Sequence, residues 1–240
     1  MGRSVILIFK GTLKKAGKTT ETPFEVRKLT MDDLPEILQV QDVVYQRLEN
    51  KEVLQPLTKE EFQFILEGNG FMLGAFAEVG LIAFRAMLVP HIDAEHLGWD
   101  IGLSEEQLRQ VIYQEISNVL PEYRGNRLQQ LLAKLIMREL GKEAPSYRYV
   151  CCTVAPFNIP SLKDKFAQGM QIAALKEKYG GLLRYVFVKD LFEDEDLPWK
   201  EVEAIKMSNT RGQQEKLKQG WRGFKMEQRN NEIWVYYGRR

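Results

Sequence analysis

Residues 119–132 read Val-Leu-Pro-Glu-Tyr-Arg-Gly-Asn-Arg-Leu-Gln-Gln-Leu-Leu, an extended run that turns through a small polar loop into a helix. Leu128, Leu131, Leu132, Leu135, Ile136 and Leu140 recur at helical spacing, so the helix opens at the loop Arg124-Gly125-Asn126-Arg127 itself. A helix that starts this way points its unpaired first-turn N–H groups and positive dipole end at whatever the loop encloses, and a pyrophosphate suits that environment. Gly125 read alone is a turn glycine. The strand, the loop, two arginines and the helix arriving together fit the cradle logic better.

The surrounding chain reads as mixed α and β around one central sheet. Residues 5–9 suggest a short strand, and the Lys/Gly/Thr-rich stretch that follows, as far as Pro23, reads as a mobile link. A strand over 24–29 leads to Thr30 and Asp33, a helix cap, and then to an amphipathic helix marked by Leu34, Ile37, Leu38, Val40, Val44, Tyr45 and Leu48. Thr58 with Glu61 forms a capping box for a short helix ending near Gly68, and Ser104 with Gln107 forms another. Strands are expected over 70–77 and 81–89, joined as a hairpin, with 91–98 as loop. Further strands are expected over 113–120, 147–155, 171–175 and 182–189. Asn158 can cap a helix that tolerates Pro160 and stops at Gly169.

Composition removes several classes of function. With 44% apolar residues in 240 the chain can bury a core, and 34 Lys+Arg against 33 Asp+Glu leave no bulk charge for nucleic acid. The run 5–9 is too short to span a bilayer, so no membrane partner is expected. Cys151 and Cys152 are adjacent, a spacing that rarely forms a disulfide. With no signal peptide in view, the expectation is a reducing cytoplasm. On a buried strand without a neighbouring histidine these cysteines read as packing residues, and His91 and His96 lack partners for a metal, so none is expected. Phe9-Lys-Gly11 to Gly17-Lys18-Thr19 nearly spells a nucleotide-binding loop, but its gap is one residue too long and no helix follows.

Beyond residue 191 the acidic run 193–196 reads as a solvated linker, followed by a strand over 202–207, a helix over 211–219 stopped by Gly220, and a strand over 233–237. Trp221, Phe224, Trp234, Tyr236 and Tyr237 are too apolar for a disordered tail, and so short a piece is too small for its own core. It is expected to pack on the preceding domain or on a second copy of the chain in a homodimer. The expected organisation is an N-terminal strand and link (1–23), a main domain (24–191) and a C-terminal extension (192–240).

The loop 124–129 resembles the acyl-CoA-binding motif of the GNAT superfamily of N-acyltransferases, in a branch whose version is Arg-Gly-Asn-x-Leu-Gln. Arg127 and Gln129 stand where the commonest form has glycine or alanine. The resemblance extends to Asp100, to Pro156-x-Asn158-x-x-Ser161 and to Lys178-Tyr-Gly-Gly-Leu-Leu-Arg-Tyr185, covering residues 24–191. It implies a mostly antiparallel sheet flanked by helices, opening between the strands at 113–120 and 147–155 to admit the pantetheine arm of acetyl-CoA. The implied reaction is direct acetyl transfer to a primary amine, on a small molecule or a peptide.

By the same resemblance, Val119, Leu120, Arg124, Gly125, Asn126, Arg127, Leu128, Gln129, Asn158 and Ser161 would hold the cofactor. A backbone amide near Val119 or Leu120 would polarise the thioester carbonyl. Glu115 would be the general base, or else a plain surface carboxylate. Asp100 would bind a cationic acceptor, or merely start a turn. Where many members carry a general-acid tyrosine seven positions after the asparagine, this chain has Lys165, readable as a proton donor or as a solvated lysine. Tyr185 and Tyr179 are the other candidate acids. Two further readings are a catalytically silent acyl-CoA-binding module and a structural adaptor that binds no CoA.

Overall fold

The computed structural model describes residues 6–143, 146–193 and 197–240. Val5, at the start of the first expected strand, and residues 194–196 of the acidic run lie outside the described residues. In chain order the elements are β1 (Leu7–Lys14), β2 (Glu21–Lys28), α1 (Leu34–Gln46), α2 (Lys59–Leu66), β3 (Gly70–Ala77) and β4 (Gly80–Leu88). Next come α3 (Leu97–Asp100), α4 (Glu105–Leu108), β5 (Val111–Val119), α5 (Leu128–Glu143) and β6 (Tyr149–Val154). The last are α6 (Ile159–Ala167), β7 (Gln171–Lys178), β8 (Leu182–Asp190), β9 (Glu201–Lys206), α7 (Thr210–Lys218), β10 (Arg222–Arg229) and β11 (Glu232–Arg239). Two compact units divide them, one bounded by Met1–Val89 with Tyr113–Pro145, the other by Pro90–Ile112 with Ser146–Arg240.

The first unit is an antiparallel run β1-β2-β3-β4-β5. Its main apolar cluster joins Leu34, Ile37 and Val40 of α1 and Phe62 and Ile65 of α2 to Phe84, Ala86 and Ile116 of the sheet. Arg85, between Phe84 and Ala86, points to the opposite face, where its Nη1 reaches the Gln129 carbonyl of α5 at 3.3 Å. The caps read from the sequence are present: Thr30 with Asp33, Thr58 with Glu61, and Ser104 with Gln107 in the other unit. Asp33 also takes both arms of the Arg27 guanidinium, at 2.8 and 2.6 Å, which fixes how β2 feeds α1.

The link expected before Pro23 is a correction. β1 runs on to Lys14 and pairs with β2 from Glu21, Gly11 facing Phe24 and Leu13 facing Thr22. Leu13 is buried, so one apolar side chain and a full ladder hold a segment whose composition looked loose.

The second unit orders its strands β6-β8-β7-β10-β11-β9, again in antiparallel pairs. The segment beyond residue 197 continues this sheet through β10, which pairs with β7 at Gly223 and Ile172. The strand β10 was missed because its sequence is mostly polar. The signal was the turn after it: Asn230 and Asn231 take φ of 47° and 63°, the two left-handed residues of a tight hairpin. Gln213 of α7 is fully buried and accepts hydrogen bonds from Tyr185 Oη of β8 and Tyr237 Oη of β11, both at 2.7 Å. Its Nε2 donates to the Met207 carbonyl at 2.7 Å. No helix among the described residues is long and apolar enough to cross a membrane.

Candidate active site

Strand β5 carries a bulge at the residue of interest. Between the pairs Arg85↔Ser117 and Met87↔Gln114, β4 advances two residues while β5 advances three. Glu115 and Ile116 therefore share the place opposite Ala86, and such an extra residue re-aims the side chains around it. Ile116 packs into the cluster beneath α1 and α2. Glu115 is half-buried, and loss of water around it, reinforced by the negative charge of Glu61, pushes its carboxyl up to about 7. Glu61 is held in the first turn of α2, where its Oε2 accepts the Thr58 N–H at 2.6 Å. A carboxylate tuned to neutral pH can both lose and take a proton there.

Beyond the bulge the strand runs into the loop. The Leu120 N–H donates to the Ile82 carbonyl at 2.9 Å, so this amide closes the sheet ladder and is not available to polarise a thioester, which removes Leu120 from the two amides the resemblance offered, Val119 and Leu120. A 3-10 turn over Pro121–Tyr123 follows, then Gly125 at φ 85° and Arg127 at φ 56°. Arg127 thus adopts the left-handed conformation for which glycine, common at this place in the resembled motif, has the lower cost, about 1 kcal/mol for a side chain. The first bond into the helix runs from the Leu131 N–H to the Arg127 carbonyl at 2.9 Å. The N–H groups of Leu128, Gln129 and Gln130 stand at the open start of α5. Arg124 and Arg127 are exposed, Gln129 is half-buried and Leu128 is packed inward. The Asn126 amide faces the protein: its Nδ2 donates to the carbonyls of Tyr123 at 2.9 Å and Lys14 at 2.7 Å, and its Oδ1 accepts the Lys14 N–H at 2.9 Å.

The remaining candidates lie in the second unit. Asn158 caps α6, its Oδ1 accepting the Ser161 N–H at 3.4 Å. Asp100, at the end of α3, pairs with Lys176 at 2.9 Å and Lys178 at 3.1 Å, both of β7, so its charge is already met by two ammonium groups. Lys165 is buried, with Nζ 3.6 Å from Asp164 Oδ2, which overturns the reading of a solvated lysine. Tyr185 is fully buried, donates to Gln213, and burial raises its phenol above the ordinary range. Tyr179 is exposed at the β7–β8 turn, within 3.0 Å of Thr153 Oγ1. Cys151 and Cys152 are buried, and burial pushes the Cys151 thiol well up, as suits packing residues.

No protein-family model and no curated protein matches this chain. Solved structures do match it. An acetyltransferase of the GNAT family from Streptococcus pneumoniae superposes with a TM-score of 0.52 at 17% identity, covering 70% of this chain and 99% of its own. A GNAT-family acetyltransferase from Listeria monocytogenes gives 0.52 at 16%, covering 75% of this chain and 100% of its own. The fold is that of the GNAT acetyltransferases. A ribosomal-protein alanine N-acetyltransferase from Escherichia coli shares it, with a TM-score of 0.52 at 15% identity over 73% of this chain and 99% of its own. Each of these acetyltransferase structures is covered almost whole, while part of this chain falls outside the match.

Two features of this GNAT fold escaped the sequence reading. The bulge leaves no mark in residue types. Arg85 was legible, as a lone charge inside the apolar run Leu81-Ile-Ala-Phe-Arg-Ala-Met-Leu88; it is fully buried, and its Nη2 donates to Gln114 Oε1 at 2.6 Å.

Proposed function

We propose that the protein transfers an acetyl group from acetyl-CoA to a primary amine, with Glu115 as general base and the loop 124–129 holding the pyrophosphate of the cofactor. The observation that carries this reading is Glu115 itself: a carboxyl tuned to about 7, re-aimed by a bulge on the strand that feeds the loop. Four steps along the strand lead from Glu115 to Val119, about 13 Å at the usual rise. That spacing keeps the proton chemistry and the phosphate-binding end of an extended cofactor apart.

The loop fits an anionic guest. A methyl-sized group added at Gly125 would meet no atom within 4 Å, so open space adjoins the start of α5. Arg124 and Arg127 add charge to the N–H groups of Leu128 and Gln129. Acetyl-CoA, when bound, supplies an activated thioester. Glu115 takes the proton that the amine nitrogen loses as it bonds to the acetyl carbon; the carbon–sulfur bond would then break with its electron pair on sulfur, and a proton from solvent would let CoA leave as the thiol, binding of both substrates supplying the proximity. Two buried thiols suit a reducing cytoplasm as the setting. The acceptor classes are small-molecule amines and peptide amines, the latter suggested by the ribosomal-protein alanine named for the Escherichia coli neighbour.

The test is thiol release from acetyl-CoA across a panel of amines, at pH values on both sides of 7. Turnover with at least one amine supports the reading. Cofactor binding without turnover for any amine replaces it with the silent binder, and no binding replaces it with the adaptor. A sharper check is Gly125→Asp, which puts a carboxylate at the start of α5, with Gly125→Asn as the uncharged control because any side chain at φ 85° is strained even where space is open. Acetyl-CoA affinity by calorimetric titration should fall at least tenfold, on the order of 1.4 kcal/mol. Unchanged affinity in a folded variant removes the loop from the cofactor site.

A further inference from the structure

The turn that follows β1 is fixed to the loop. The Lys18 N–H donates to the Lys15 carbonyl at 3.0 Å, closing a turn with Gly17 at φ 77°. The Ala16 N–H, at its tip, donates to the Glu122 carbonyl at 2.7 Å. One step earlier the Asn126 amide bonds both the N–H and the carbonyl of Lys14, as a neighbouring strand would. Lys15 Nζ stands 5.7 Å from the centroid of the Tyr123 ring, two residues before Gly125. One backbone bond, two bonds from the Asn126 amide and a ring contact thus hold a lysine-rich turn beside the loop, although nothing in its own composition would order it.

The gathered charge asks for an anion. Lys14, Lys15 and Lys18 come from one segment and Arg124 and Arg127 from the other, and Arg124, Arg127, Lys14 and Lys18 are exposed. Glu21, a nearby carboxylate on β2, accepts the Thr12 hydroxyl at 2.6 Å. Like charges held together repel, and a polyanionic guest relieves that. Because the backbone of the turn is already ordered, little backbone freedom remains to be lost on binding.

We propose that the turn at residues 15–18 forms a second wall of the cofactor site and reads the phosphate on the adenosine ribose of CoA, with Lys15 and Lys18 as the ammonium groups that meet it. This rests on the loop 124–129 as the pyrophosphate site. A pyrophosphate occupies the start of one helix, whereas a phosphate monoester on the ribose is a separate dianion that needs cations of its own, and lysine serves as a point charge for it. The turn therefore selects CoA thioesters over their 3′-dephospho forms.

Calorimetric titration of CoA and of 3′-dephospho-CoA separates the ideas. The wild-type protein should favour CoA by at least tenfold, and added salt should shrink that preference. The double variant Lys15→Ala with Lys18→Ala should bind dephospho-CoA as the wild type does and lose most of the preference. Lys10→Ala is the control, because Lys10 pairs with Glu25 at 2.7 Å farther along β1 and should keep the preference intact. Equal wild-type binding of the two ligands, or a full preference in the double variant, overturns the inference and leaves the pyrophosphate loop standing. Binding of neither ligand removes both.

Discussion

Glu115→Gln should lower turnover about a hundredfold or more while leaving acetyl-CoA affinity unchanged, because the amide keeps the shape and cannot take a proton. The wild-type rate should rise as pH passes through about 7, where the carboxyl ionises, and the variant should lose that rise. Stability should move the other way. The folded protein holds this proton more tightly than the unfolded chain does, so Glu115 costs stability as pH climbs from 4.5 to about 7 and continues to do so above. Glutamine removes that cost, so the variant should melt above the wild type at pH 8 and level with it at pH 4. A purely structural carboxylate would show a weaker fold and an unchanged pH profile. That pair of results would take the base role from Glu115.

Gln213→Ala should be the most destabilising single change outside the apolar core. It orphans two buried phenol hydroxyls and the Met207 carbonyl at once. At about 1–3 kcal/mol for each buried group left unsatisfied, the loss is roughly 4 kcal/mol or more. In a chain of this size that lowers the melting temperature by about 10 °C. Tyr237→Phe, which leaves Gln213 bonded to Tyr185, should cost only about 1 kcal/mol. Calorimetric melting of both variants checks this. A Gln213→Ala protein that melts within about 2 °C of the wild type would show that the network does not anchor α7 to β8 and β11.

The features the sequence displayed openly are those built from neighbours in the chain. Capping boxes need residues three apart, so Thr30, Thr58 and Ser104 announced their helices. The helix after Arg127 was written in its leucines. What the sequence hid depends on the partner across a ladder. Whether β5 carries an extra residue is decided by its pairing with β4, and that bulge is what aims Glu115. The Leu120 amide was offered as a catalytic donor because nothing local reveals the Ile82 carbonyl waiting for it. Lys165 looked solvated because its burial comes from the packing around α6. The lysine-rich turn looked loose because its ordering bonds go to residues more than a hundred positions away.

The interleaving of the two units bears on how the chain is made. The first unit is split by the stretch Pro90–Ile112, which belongs to the second, so neither unit is one uninterrupted length of chain. A ribosome releasing this protein from its N-terminus exposes β1 to β4 with their last strand and α5 still unmade. The clasp between Lys14 and Asn126 closes across 112 positions, so it cannot form until the stretch from Val111 to Asn126 has emerged. Contacts of such long range slow folding, and the waiting strands carry an open edge on β4 meanwhile. The loop 124–129 is therefore among the last parts of the first unit to take its final form, and a nascent chain stalled before it would lack the clasp that orders the turn after β1.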